Sequence, residues 1–152
     1  MRDSDIDDFV AAAHALVDLI QSNADGLSST SVAALNAIRC HESLSIGDIA
    51  QIIGLTHSAT VRLIDRLEKD WLVRRGRRKG REVMVETTAR GKRRVVALNE
   101  TLHGTIREVL EQMPKQDRDG LSTGVNTFVR ALVDMGQDQK RLYRFGGGTE
   151  ES

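Results

Sequence analysis

The sequence predicts a mainly α-helical protein with one small β-hairpin, an α+β chain in one structural domain. Three observations carry that expectation. Apolar residues recur at steps of three and four along most of the chain, the spacing of a helix with one buried stripe. One segment near the middle alternates polar and apolar, the spacing of a strand exposed on one side. Cap and turn residues stand where these patterns change. The length of 152 residues suits one ordinary domain. Hydrophobic residues at 39% and charged ones at 29% are the composition of a globular chain.

Ile6, Phe9, Val10, Ala13, Leu16, Val17 and Ile20 form the stripe of a first helix, which Gly26 stops. Ser29, Thr30 or Ser31 can cap a second, carrying Val32, Leu35 and Ile38. Ser45 is the expected N-cap of a short third helix, with Asp48 in its first turn and Ile46, Ile49, Ala50 and Ile53 on its apolar face. Gly54 fits the left-handed position that ends it. Thr56 caps a fourth helix to about residue 69, with Thr60, Leu63, Ile64 and Leu67 facing inward. Trp71, Leu72 and Val73 then form a short apolar run, and residues 81–86 alternate as a strand. The segment between, 74–80, holds two glycines and five cations and is expected to be the hairpin tip. Thr88 caps a long helix through about residue 113, striped by Val95, Leu98, Leu102, Ile106, Val109 and Met113. Pro114 ends it, and a last helix from about Asp117 carries Leu121, Val125, Phe128, Val129 and Leu132. A long helix with an apolar stripe needs a partner, and a second copy of the chain is the favoured one.

Several function classes are excluded. One cysteine cannot close an internal disulfide, so a secreted disulfide scaffold is not expected. The acidic start lacks the apolar run of a signal peptide, and no stretch is apolar enough to span a bilayer, so a cytoplasmic protein with no membrane partner is expected. There is no phosphate loop, dinucleotide fingerprint or nucleophile elbow, so neither an enzyme nor a cofactor is expected.

The formal net charge is zero, yet the charges are segregated. Residues 62–94 hold thirteen basic and five acidic residues, a net +8 that the rest of the chain offsets. Such clustering points to a polyanion partner, because surface potential follows local density rather than the total. The run coincides with a helix-turn-helix pattern: Ala50 where two helices touch, Gly54 at the turn, Thr56 opening the second helix. The second helix of such a unit leads into the major groove with its N-terminal residues. His57, Ser58, Val61 and Arg62 are the candidate contacts, Arg62 being able to grip guanine with two bonds. Backbone N–H groups at the helix starts near Ser45 and Thr56 are candidate phosphate sites. The basic hairpin beside this unit reads as a wing whose Arg77, Arg78, Lys79 and Arg81 suit the narrow, strongly negative minor groove. Double-stranded DNA is therefore the expected partner.

Ile49-Ala50, Gly54-Leu55-Thr56, the run Arg62 to Glu68, Leu72-Val73-Arg74-Arg75 and Thr88-Ala89-Arg90-Gly91 stand together in order and spacing. With these residues the chain resembles the MarR family of bacterial transcription regulators over nearly all its length. The resemblance implies a homodimer with a winged helix-turn-helix in each subunit and a dimerisation layer built from the terminal helices. It implies binding to a pseudo-palindromic operator and release by a small-molecule effector or an oxidant. The expected division is a helical dimerisation region over 1–28 and 92–145, a winged helix-turn-helix over 29–91 and a flexible tail over 146–152. The chain departs from the family pattern in having Trp71 in place of a glycine and Gly80 before Arg81 in place of an aspartate. Thr60 stands at a usually apolar position, where its hydroxyl needs a partner. A protein-interaction or dimerisation module is the alternative reading. So is a metal- or redox-sensing regulator using Cys40 and the histidines, although His14, His41, His57 and His103 show no tight ligand spacing.

Overall fold

The computed structural model describes residues 1–136. The expected tail, and the end of the region expected to close at 145, lie outside them. Six helices and three short strands follow in chain order: α1 (Asp3–Ser22), α2 (Ser29–Cys40), β1 (Ser43–Ser45), α3 (Ile46–Ile53), α4 (His57–Lys69), β2 (Val73–Lys79), β3 (Glu82–Thr87), α5 (Ala89–Glu111) and α6 (Lys115–Asp134). The mainly helical architecture with a small sheet is the expected one.

Local chemistry accounts for most boundaries. The Ser45 hydroxyl accepts the Asp48 N–H at 3.1 Å, Thr56 accepts that of Ala59 at 3.2 Å and Thr88 accepts that of Gly91 at 3.0 Å. Each satisfies a first-turn donor that has no partner within its helix. Gly54 closes α3 in the left-handed conformation, φ 73°. The second helix departs from expectation. Ser28, one residue before the expected candidates, is its cap and accepts the Ser31 N–H at 3.1 Å. α1 ends at Ser22, before Gly26, with the Asn23 N–H returning to the Leu19 carbonyl. Pro114 is the N-cap of α6, so that helix begins two residues before Asp117.

The sheet has the order β1-β3-β2 and is antiparallel throughout. β1 is an element the sequence reading lacked. It pairs Leu44 with Val85 and Ser45 with Met84, tying the hairpin to the start of α3. The hairpin is also tighter than expected. Strand β2 runs into Lys79, which pairs with Glu82, leaving only Gly80 and Arg81 to turn. Gly80 takes φ 63°, as the first position of a two-residue turn of type II′ demands. One extra residue in β2 between Arg75 and Arg78 makes a bulge that bends the strand.

The core lies within the residues from α2 to the start of α5. Leu35, Ile38, Ile49, Leu63, Ile64, Leu67, Val73, Val85 and Val95 are fully enclosed. Thr60 is buried among them, and its hydroxyl finds its partner by donating to the Thr56 carbonyl at 2.9 Å. Asn36, also enclosed, exchanges amide hydrogen bonds with Asn99 of α5 at 2.7 and 3.3 Å. By contrast, neither α1 nor α6 has a buried residue. Their stripes touch through Phe9 and Phe128, with ring centroids 4.9 Å apart in an edge-on arrangement. Yet Phe9 stays 52% exposed and Phe128 45%.

Two junction residues fix the end of α4 against the start of α5. The Leu72 carbonyl accepts the Thr88 N–H at 3.0 Å, and the Thr88 hydroxyl donates to the Trp71 carbonyl at 2.6 Å, with the Leu72 carbonyl its longer acceptor at 3.2 Å. A Cβ on Gly91 would overlap that carbonyl oxygen and lie 2.8 Å from its carbon. Replacing Gly91 by Ala is therefore expected to cost about 2–3 kcal/mol, as overpacking of a close contact does, and to lower the thermal midpoint by several degrees in a melting experiment. Trp71 occupies the left-handed position after α4, φ 60°, where the Leu72 N–H bonds the Leu67 carbonyl and its own N–H bonds that of Glu68. A side chain there is strained, and Trp71 is 75% exposed, so it gains little burial in return. Trp71→Gly is expected to raise stability by about 0.5–1 kcal/mol, measured by denaturant unfolding, the relief of strain exceeding the added chain entropy.

Candidate nucleic-acid interface

The segregated charge resolves into paired and unpaired cations. Arg74 donates through Nε and a terminal nitrogen to Glu86, at 3.2 and 3.0 Å, directly across the hairpin. Arg75 is held by two carboxylates of α4. Asp65 accepts one terminal nitrogen at 2.6 Å, Glu68 accepts the other, and the second Glu68 oxygen accepts the Arg75 backbone N–H at 3.1 Å. The bond from Asp65 raises the pKa of Arg75, partial burial opposes it, and Glu68 adds further attraction. Half-exposed pairs of this kind contribute only about 0–1 kcal/mol, so their effect is mainly geometric. Arg94 reaches the Asp25 carbonyl at 2.6 Å and its carboxylate at 3.4 Å, joining α5 to the loop before α2.

The remaining candidates are differently placed. His57, Ser58 and Arg62 are exposed on the first turns of α4, and Val61 is half-buried rather than fully outward. Arg77, Arg78, Lys79 and Arg81 are all exposed on the hairpin. None of Arg62, Arg77, Arg78, Lys79 or Arg81 is in an ion pair with another described residue. Thr56 is exposed, but its hydroxyl is occupied by the cap, and the Ser45 side chain is buried and likewise occupied. The first turns of α4 border an open groove of about 490 Å³ lined by Thr30, Leu55, Ala59, Arg62, Leu63, Asp65 and Arg66. The pairing of Arg75 with Asp65 and Glu68 was not foreseen. Its only trace in the sequence is two acids three residues apart inside a basic stretch.

A model of the MarR family matches residues 25–82, from the loop before α2 to the wing. Over 108 residues, 70% of this chain and 68% of the relative, the sequence is 30% identical to YfiV of Bacillus subtilis, an HTH-type transcriptional regulator. The chain belongs to the MarR family. Its fold is that of solved MarR-type structures. RV1404 from Mycobacterium tuberculosis superposes with a TM-score of 0.76 at 26% identity, covering 86% of this chain and 94% of that one. MepR, a transcription regulator of the Staphylococcus aureus multidrug efflux pump MepA, does so with 0.72 at 16% identity, covering 82% and 95%. MarR proteins are transcription regulators, not enzymes.

Other candidate chemistry finds no assembled site among the described residues. Cys40 is exposed, with an Arg39 nitrogen 3.8 Å from its sulfur. His14, His41, His57 and His103 are exposed on four separate helices or their ends. Among the described residues no three His, Cys, Asp or Glu side chains come together as a metal site would require. No described helix is long and apolar enough to cross a membrane.

Proposed function

We propose that this MarR-family chain is a sequence-specific DNA-binding regulator acting as a homodimer, a repressor released by a small-molecule effector. In this reading, residues 29–91 are the DNA-binding region, and 1–28 with 92–145 are the dimerisation region. The N-terminal half of α4 enters the major groove with His57, Ser58 and Arg62 toward base edges and Val61 at its margin. The helix starts at Ser45 and Thr56 meet the backbone. The wing lays Arg77, Arg78, Lys79 and Arg81 along the adjacent minor groove. The observation that carries the reading is the sorting of cations: acids inside the basic stretch pair with Arg74 and Arg75, while Arg62 and the hairpin-tip cations are in no ion pair with another described residue. Cations kept free of internal partners can release counterions from a polyanion at no cost in broken ion pairs.

The exposed stripes of α1 and α6 support pairing with a second copy. Ile6, Phe9, Val10, Leu16 and Val17 on α1, with Leu121, Val125 and Phe128 on α6, are large apolar side chains left exposed at helical spacing, the kind of surface a partner covers. A twofold pairing would set two copies of α4 to reach successive major grooves of a pseudo-palindromic site. Release follows if an effector prefers a dimer in which that spacing is lost. The crevice between α2 and α5, lined by Ile20, Asn23, Ala24, Val32, Leu98, Asn99 and Leu102, holds only about 10 Å³, room for a single water. An effector acting there would have to open it.

DNA affinity is the direct test. Binding to duplex DNA, followed by fluorescence anisotropy, is expected to weaken roughly 10³-fold or more between 50 and 200 mM salt. Arg62→Ala is expected to relax the base preference at one position by about 1–3 kcal/mol. Arg78→Ala and Lys79→Ala are expected to weaken every duplex alike and to flatten the salt dependence, each lowering its slope by about 0.9. Unchanged affinity for all duplexes in the Arg78 and Lys79 variants would sink the wing assignment. Sedimentation is expected to give twice the chain mass for the native protein and the single-chain mass for Leu121→Asp/Phe128→Asp. A native chain that sediments as a monomer at micromolar concentration would refute the twofold reading.

A further inference from the structure

Arg75 lies inside the basic hairpin, and by sequence it belongs with the cations that meet DNA. Its surroundings give it a different task. One α4 carboxylate, Glu68, holds both its backbone N–H and its guanidinium, and a second, Asp65, takes the remaining terminal nitrogen. A guanidinium has a fixed planar fork, so bonds at both tips define an orientation as well as a distance. Asp65 and Glu68 are three residues apart and therefore neighbours on the surface of α4. Along the strand, Arg75 pairs with Val85 in the last regular step before the bulge, and the next pair is Arg78 with Val83. Everything carrying Arg77 to Arg81 thus projects from a root that Arg75 fastens to the recognition helix. On the other face of the strand, Arg74 is closed onto Glu86.

We propose that Arg75 is the positioning residue of the wing: it makes no DNA contact itself, and through Asp65 and Glu68 it sets the angle at which the hairpin tip is presented relative to α4. The inference rests on the DNA-binding reading above and adds a division of labour among the arginines. It also assigns a role to two acids that simple electrostatics would count as harmful beside a polyanion. Removing an acid near DNA raises affinity if charge alone matters. If the acid holds the wing in place, removing it lowers affinity.

The test uses the full chain and a duplex that the native protein selects from a random-sequence pool, with an unrelated duplex of equal length as reference. Affinities of the native protein and of Arg75→Gln, Glu68→Gln, Asp65→Asn and Arg78→Gln are measured across a salt series, with thermal melting of each variant. Arg75→Gln and Glu68→Gln are expected to weaken binding to the selected duplex roughly tenfold while the slope of log affinity against log salt stays at the native value. Arg78→Gln is expected to lower that slope by about 0.9. A fall in slope for Arg75→Gln equal to that for Arg78→Gln would make Arg75 a phosphate contact and overturn the proposal. Tighter binding of the selected duplex by Glu68→Gln and Asp65→Asn would overturn it as well. These two variants decide the matter even where Arg75→Gln melts too early to assay. If the native chain selects no duplex, the DNA-binding reading falls and this inference with it. If it selects one and the Arg75 slope drops, only this inference falls.

Discussion

The Leu72 carbonyl is the point on which the arrangement of the molecule turns. It stands just past the end of α4 and at the root of β2, and it accepts both the N–H and the hydroxyl of Thr88, the cap of α5. Gly91 lets the first turn of α5 come so close that any side chain there would collide with this carbonyl. The end of α4, the root of the hairpin and the start of α5 therefore meet at this carbonyl. A change in the direction of α5 is transmitted to α4 and the hairpin with little slack, because close-packed contacts do not deform gradually. Thr88 serves the junction and its own helix at once: its N–H bonds the Leu72 carbonyl, while its hydroxyl donates to the Trp71 carbonyl and accepts the Gly91 N–H. Trp71 shows how dominant the junction is: the chain holds a tryptophan in a left-handed conformation so that Leu72 can complete the end of α4.

Charge is organised on the same principle of local pairing. A neutral total conceals a stretch of net +8, and within that stretch the acids are few and specifically placed. Glu86 faces Arg74 across the hairpin, and Asp65 and Glu68 face Arg75 from the helix. These acids do not dilute the basic surface evenly. They pair with Arg74 and Arg75 at the root of the wing, while Arg77, Arg78, Lys79 and Arg81 further out are in no ion pair with another described residue.

How much of this was legible in the sequence depended on how local the cause was. The caps at Ser45, Thr56 and Thr88 and the left-handed Gly54 could be read because the hydroxyl and its partner lie three residues apart and the glycine needs no partner at all. The hidden face of α4 followed from its spacing, including Thr60, whose hydroxyl bonds one turn back. Ser28 was missed because four hydroxyl residues in a row offer equivalent caps, and only packing chooses among them. β1 was missed because three residues show no periodicity and exist as a strand only through pairing with residues forty positions on. The hairpin is narrower than its composition suggests because the backbone pairs Arg78 with Val83 and Lys79 with Glu82, and a run of arginines and glycines carries no period that announces such pairing. The Arg75 network had no sequence signature stronger than composition, since a long side chain can reach many partners. Of the candidate contacts, His57, Ser58, Arg62 and the wing cations are exposed, whereas Val61 is half-buried because its position on α4 turns partly toward the core.

Burial divides the chain unequally. The part from α2 to the start of α5 closes a core of its own. The terminal helices hold no fully buried residue, and Phe9 of one meets Phe128 of the other edge-on. Apolar surface of that extent is worth roughly 25 cal/mol for each Å² removed from water, so the helices have far more to gain from an additional surface than from the contacts they make within the chain. The one enclosed polar bridge between the two parts is the Asn36–Asn99 exchange, where each amide satisfies the other. Separating those amides without replacement partners leaves buried groups unsatisfied, at about 1–3 kcal/mol each. Sliding α5 along α2 is therefore resisted by a discrete step rather than a smooth slope. The long helix is thus attached to the winged unit by the Leu72 junction at its start, by Arg94 on Asp25 and by the paired asparagines further along. Any event that reorients the winged unit against the helical layer has to break or re-form the asparagine pair while pivoting about the Leu72 junction.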